Sequence, residues 1–265
     1  MLFVGLDLAW STKNASGIAV VEGDGKRACL VSSGLVRSDK EIAEYIRNEI
    51  GSKDALIAID APLVVPNEKG RRIAEVIVGD LFRKYDAGAH PANRSHLTSF
   101  YGKIRGEVVT ELLKKEGFAH SPNLTAREQT RKFFEVYPHP SMVVLFSLNR
   151  IIRYKAKPNR DYAERYAAYR EYQRHMAALA VADPSLRLPD KIIKVKVDDL
   201  RAQKLKDYED EIDAVFCAYV AYYAWVHPNR CAVLGNLDEG YILTPITDAM
   251  RRQLEAPKSQ KKLLA

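Results

Sequence analysis

The run Ala55-Leu-Ile-Ala-Ile-Asp60-Ala-Pro62 decides the architecture. Five consecutive apolar residues ending in an acid and a proline are the signature of a strand buried on both faces, which is found where helices cover a parallel sheet. Upstream, Ser38-Asp-Lys-Glu41 is a capping box, and Ile42, Ala43, Tyr45, Ile46 and Ile50 follow at helical spacing, so an amphipathic helix leads into that strand. Further upstream, residues 2–8 (LFVGLDL), 16–22 (SGIAVVE) and 28–36 (ACLVSSGLV) read as three short strands with polar turns such as Glu22-Gly-Asp-Gly25, an antiparallel meander. Strand, strand, strand, helix, strand makes a mixed α/β sheet with helices packed against it.

Downstream, residues 63–131 read as an insertion. It has a helical stretch around Arg71 to Tyr85, a loop rich in Gly, His, Pro and Asn from Asp86 to Ser99, and a second helix near Glu107 to Glu116. Residues 132–137 (KFFEVY) return to strand character, and Pro138-His-Pro140 is expected to stop them. A Tyr-, Arg- and Ala-rich helix is expected from about Asp161 to Ala182, and an apolar helix from Asp207 to Val226. Two strand-like pieces then follow, Cys231 to Leu234 and Tyr241 to Thr244. We therefore expect one domain over residues 1–255 and a disordered basic tail over 256–265.

The 265 residues suffice for a sizeable core. Three cysteines without a CxxC pair suggest a reducing compartment, and no run approaches the roughly 20 apolar residues of a membrane helix, so a cytoplasmic protein is expected. A net charge of +7 favours a polyanionic partner, nucleic acid first among them.

Four acids stand out. Asp7 interrupts an apolar strand, where an unpaired carboxylate would cost on the order of several kcal/mol. Asp60 ends the buried strand, and Asp210 and Asp213 lie three apart on the last helix beside a small-residue stripe of Ala214, Cys217 and Ala221. Singly, each also reads as a satisfied core acid, a turn residue or an ordinary acid of a helix N-terminus. Together they would repel, by roughly 3 kcal/mol per pair about 5 Å apart at an effective dielectric near 20, unless a cation neutralised them. Oxygen-only ligands suit Mg²⁺ or Mn²⁺, and two such ions can carry phosphodiester hydrolysis without a protein nucleophile.

Several blocks resemble one family: Gly5-Leu-Asp7-Leu-Ala-Trp10-Ser11, Ile59-Asp60-Ala-Pro-Leu63, Glu135-Val-Tyr-Pro-His-Pro140, Tyr154-Lys155, and Asp210-Glu-Ile-Asp213-Ala214 with Cys217-Ala218. They are similar to those of the predicted nucleases of ribonuclease-H fold known as domain-of-unknown-function family 429. The resemblance implies a five-stranded ribonuclease-H-like sheet, with an insertion after strand 4, akin to Holliday-junction resolvases. There, acids from strand one, strand four and the last helix bind Mg²⁺. Relatives of that fold act as dimers, which leaves a homodimer open. Glu135 is a further candidate ligand, with a structural acid as the competing reading. Lys155, Tyr154, Arg153 and His139 are candidate contacts to a phosphate backbone. Tyr162, Tyr166, Tyr169 and Tyr172 read as core packing, His90 and His96 as too sparse a pair for a metal site, and Cys217 as a buried structural thiol.

The expected function is a metal-dependent nuclease acting on DNA or RNA. The competing readings are a nucleotide-binding phosphotransferase of the actin-like superfamily, against which stands the lack of a second Asp-Gly-rich phosphate loop, and a non-catalytic nucleic-acid-binding protein.

Overall fold

The structure, a computed structural model, describes residues 1–256, so the expected disorder of the tail falls almost wholly outside the described residues. The strands are β1 (Leu2–Asp7), β2 (Ser16–Gly23), β3 (Arg27–Val36), β4 (Ala55–Asp60), β5 (Ala119–His120), β6 (Arg131–Glu135), β7 (Ser185–Arg187), β8 (Cys231–Asn236) and β9 (Gly240–Pro245). The helices are α1 (Asp39–Ile50), α2 (Ile73–Phe82), α3 (Arg94–Tyr101), α4 (Arg105–Lys115), α5 (Pro138–Leu145), α6 (Tyr162–Ala178), α7 (Asp190–Ile193), α8 (Ala202–Val226) and α9 (Asp248–Glu255).

A seven-stranded sheet runs in the order β5-β6-β4-β1-β2-β3-β7. It is parallel except at β2, which is antiparallel to both neighbours. The sheet thus has seven strands where five were expected, and β5 and β7 at its edges are short. β8 and β9 form a separate hairpin.

Alternation along the strands sorts the two layers. Leu2, Val4 and Leu6 of β1, with Ile57 and Ile59 of β4, pack against Ile42 and Ile46 of α1 and Val109 and Leu113 of α4. Phe3 of β1, with Leu56 and Ala58 of β4, faces α8 through Ala214, Cys217 and Ala218. Asp7 and Asp60 continue this second row, so both carboxylates leave the sheet toward α8. The expected insertion is not wholly peripheral, because α4 completes the first layer and β5 joins the sheet edge.

The small-residue stripe does bring α8 close. A Cβ on Gly5 would stand 1.9 Å from the Ala214 carbonyl oxygen, and one on Gly17 would stand 1.8 Å from the Asp210 oxygen. Because the obstacle is helix backbone, no side-chain rotation relieves it. Gly5→Ala is expected to cost about 2–3 kcal/mol by forcing α8 off the sheet. Urea unfolding checks this, and a loss below about 0.5 kcal/mol would contradict the close approach.

Three readings differ from the sequence. The loop expected from Asp86 to Ser99 gives way at Arg94 to α3, started by the Asn93 side chain, which accepts from the His96 N–H. Pro138 does not end a strand but opens α5, where its missing N–H costs nothing. α8 begins at Ala202, five residues before the expected start, so Asp210 and Asp213 lie in its third and fourth turns. A helix N-terminus therefore does not explain them.

Candidate metal centre

Asp7 and Asp60 end adjacent parallel strands and are direct register partners. On the other side, Asp7 pairs with Gly17, whose missing side chain admits the Asp210 backbone, so strand register and helix contact together gather the four acids. Burial pushes the Asp7 carboxyl well above its ordinary value; Lys155 opposes this, while Asp213, Asp60 and Asp210 add to it. Asp60 is raised to about 7, again chiefly by burial, and Asp210 to about 6 for the same first reason.

The acids divide into two pairs. Asp213 is fully buried and is held at one end of its carboxylate by the Tyr154 hydroxyl, which donates to Oδ1 at 2.8 Å, and at the other by the Lys155 ammonium, 2.9 Å from Oδ2. Asp210 takes the Lys206 ammonium at 2.6 Å. Asp7, by contrast, has its Oδ2 shut off from solvent with no hydrogen-bond partner among the described residues. Asp7 and Asp60 line a cavity of about 450 Å³, whereas Asp210 and Asp213 are not among its lining residues. Lys155, Lys157 and Arg160 form a basic wall of the same cavity.

Among the described residues, no three Asp, Glu, His or Cys side chains are arranged as a ready-made metal cage. Mg²⁺ does not need one, since it commonly retains several waters and takes one or two carboxylates together with substrate phosphate oxygens. The orphaned Asp7 oxygen beside a second carboxylate fits that mode.

Glu135 is placed differently from the expectation. Its register partner is Ile59, not Asp60, so by alternation it belongs to the opposite row of the sheet. Both of its oxygens are held by Arg72, at 2.5 and 2.9 Å, and the Leu63 N–H donates to Oε2 as well. It is a buried ion-pair acid rather than a free ligand, although it reaches the cavity rim. Tyr154 is fully buried, so its part is to position Asp213 and not to meet a substrate. Arg153 is exposed on the same segment. His139 lines the cavity, and burial followed by the charge of Lys155 pushes it down to about 3, so it is neutral there.

Sequence reasoning missed Lys206, though its spacing of four from Asp210 was a readable signal. It missed Arg72, which pairs locally with Glu75 but whose partner at the cavity, Glu135, is 63 residues away in the sequence. It gave Trp10 no role of its own, whereas Lys157 and Arg160 were readable as part of the basic stretch around Lys155, and both line the cavity.

No helix among the described residues is long and apolar enough to cross a membrane. No curated protein matches the chain. Residues 5–239 match the model of the family described as protein of unknown function (DUF429), and the chain belongs to that family.

Proposed function

We propose that the protein is a metal-dependent phosphodiesterase acting on nucleic acid, with Asp7 and Asp60 as the carboxylates that hold the cation. The observation that carries the reading is the Asp7–Asp60 register pair, with an orphaned Asp7 oxygen, at the floor of a cavity walled by Lys155, Lys157 and Arg160. The ribonuclease-H-like reading is supported by a mixed sheet in which β1 and β4, the strands that end in Asp7 and Asp60, lie side by side and parallel with β2 reversed beside them. That likeness supports a fold used for phosphodiester chemistry, while the substrate class rests on the site itself.

A bound Mg²⁺ or Mn²⁺ would polarise the scissile phosphate and lower the pKa of an attacking water. The chain's own residues do the rest. Asp7 and Asp60 supply the anionic floor, and burial makes them poor anions until a cation arrives, so metal binding is expected to release protons near neutral pH. Lys155 and Lys206 give Asp213 and Asp210 fixed positive partners. This favours a single exchangeable ion at Asp7 and Asp60 over the two ions expected from four free carboxylates. Lys157 and Arg160 attract the phosphate backbone.

The test is cleavage by the pure protein of single-stranded, duplex, hybrid and branched DNA and RNA with Mg²⁺, Mn²⁺ or EDTA. We expect cleavage with either metal and none with EDTA. Metal binding to a folded protein without turnover of any of these substrates would remove the reading.

A further inference from the structure

The chain has two tryptophans, and they sit in opposite environments. Trp225 is buried in the core, whereas Trp10 is 41 % exposed. Trp10 follows Asp7 by three residues and lines the same cavity as the two strand-end carboxylates. Its exposure does not come from a loose loop. The buried Arg105 guanidinium donates from Nη1 to the Ala9 carbonyl at 2.8 Å and to the Ser11 carbonyl at 3.3 Å, pinning the backbone on both sides of Trp10.

Two further rings meet it from α3. His96 and Phe100, one helical turn apart, place their centroids 5.6 and 4.8 Å from that of Trp10 and 5.2 Å from each other. Phe100 is as exposed as Trp10, at 41 %. An exposed indole braced edge-on by two rings, on a cavity that Asp7, Asp60, Lys157 and Arg160 also line, combines the two elements that hold a single strand: a ring for a base and cations for phosphates. A duplex keeps its bases stacked inside and offers these rings no free base face. A cavity of about 450 Å³ is also of the size that takes one small ligand or nucleotide unit.

We propose that Trp10, braced edge-on by His96 and Phe100, is a stacking platform for an unpaired nucleobase, so that the strand entering the Asp7–Asp60 cavity is single-stranded or locally unpaired. This rests on the nuclease reading for the purpose of the site, but it is measurable without any catalysis.

The experiment titrates the full chain in EDTA with three oligomers of equal length: a single-stranded oligonucleotide, the same sequence as a blunt duplex, and an abasic sugar-phosphate strand. Tryptophan emission reports stacking on Trp10, and anisotropy of labelled oligomers gives the affinities. We expect quenching by the single strand alone, with binding about tenfold tighter than that of the abasic strand at equal salt. Trp10→Ala should lose the quenching and about tenfold in affinity, while the remaining emission of Trp225 reports that the core is intact. Phe100→Ala should weaken binding without abolishing the quenching.

Equal affinity for the abasic strand or the duplex, or unchanged binding by Trp10→Ala, overturns the platform. Stacking together with no metal-dependent cleavage of any substrate leaves the platform standing and removes the nuclease. Duplex cleavage without quenching does the reverse.

Discussion

Replacing Asp7 by asparagine is expected to lower metal-dependent cleavage by at least about a thousandfold, because several kcal/mol of metal-borne transition-state stabilisation depend on that ligand. The same change is expected to make the metal-free protein more stable at alkaline pH. Asp7 is raised well above the ordinary carboxyl value, so the folded state holds a proton that the unfolded chain has released. The stability this represents is present below the unfolded pKa and is lost as pH rises through the folded one. Asparagine cannot ionise, so the variant escapes that loss. Unfolding in EDTA should therefore show its advantage over the wild type widening from pH 5 to pH 9. Taking the difference between the two proteins removes contributions of opposite sign. Burial pushes His120 down to about 4 and His139 to about 3, and each stabilises the fold as pH rises through the unfolded histidine range. Asp60, raised to about 7, should make Asp60→Asn behave in the same sense. Retained cleavage in Asp7→Asn, or an advantage that shrinks as pH rises, would remove Asp7 from the role assigned to it.

The strands carrying these acids were legible because β1 and β4 are continuous apolar runs, and each becomes informative where a carboxylate breaks it. α1 was legible from its capping box, in which the Ser38 hydroxyl accepts from the Glu41 N–H and the Glu41 side chain from the Ser38 N–H. Other features left no local pattern. β5 and β7 have two and three residues, too short for a period to show. The start of α8 was hidden because Arg201 provides no side-chain cap and the first turn, Ala202-Gln-Lys-Leu205, carries a single large apolar residue. That misplacement matters chemically. Acids in a first turn are explained by the helix dipole, whereas acids in the third and fourth turns, packed against Gly17 and beneath Tyr154, require partners. The gathering of Asp7, Asp60, Asp210 and Asp213 could be anticipated from strand order. The Lys206 partner of Asp210 was readable at i,i+4, but the Lys155 partner of Asp213 was not, because it depends on where the segment holding Tyr154 and Lys155 meets α8. Glu135 shows the limit of spacing arguments most clearly: one residue of register separates the row of Asp7 and Asp60 from the row that holds an ion pair.

Lys155→Met is expected to destabilise the metal-free protein by about 2–3 kcal/mol near pH 8, less than the roughly 3–5 kcal/mol for a pair buried on both sides, because Lys155 keeps 30 % exposure while Asp213 has none. The reason is local to Asp213. Its side chain is fully buried, and without the ammonium 2.9 Å away it keeps only the Tyr154 hydroxyl, too weak a donor to stabilise a carboxylate by itself. Lys155 also counters the upward push on Asp7 and Asp60, so its loss raises the cost of every charge in the cluster. Two consequences distinguish this account from simple loss of packing. Asp213→Asn introduced with Lys155→Met should recover most of the lost stability, because it removes the stranded charge while keeping an acceptor for Tyr154. Mn²⁺ should raise the unfolding midpoint of Lys155→Met by more than it raises that of the wild type, since the cluster has lost its built-in cation and gains more from an external one. A single variant that loses less than about 1 kcal/mol would place Lys155 with exposed, weakly coupled pairs. A double variant no more stable than Lys155→Met would show that the lysine acts through its aliphatic stem and that Asp213 has no electrostatic role.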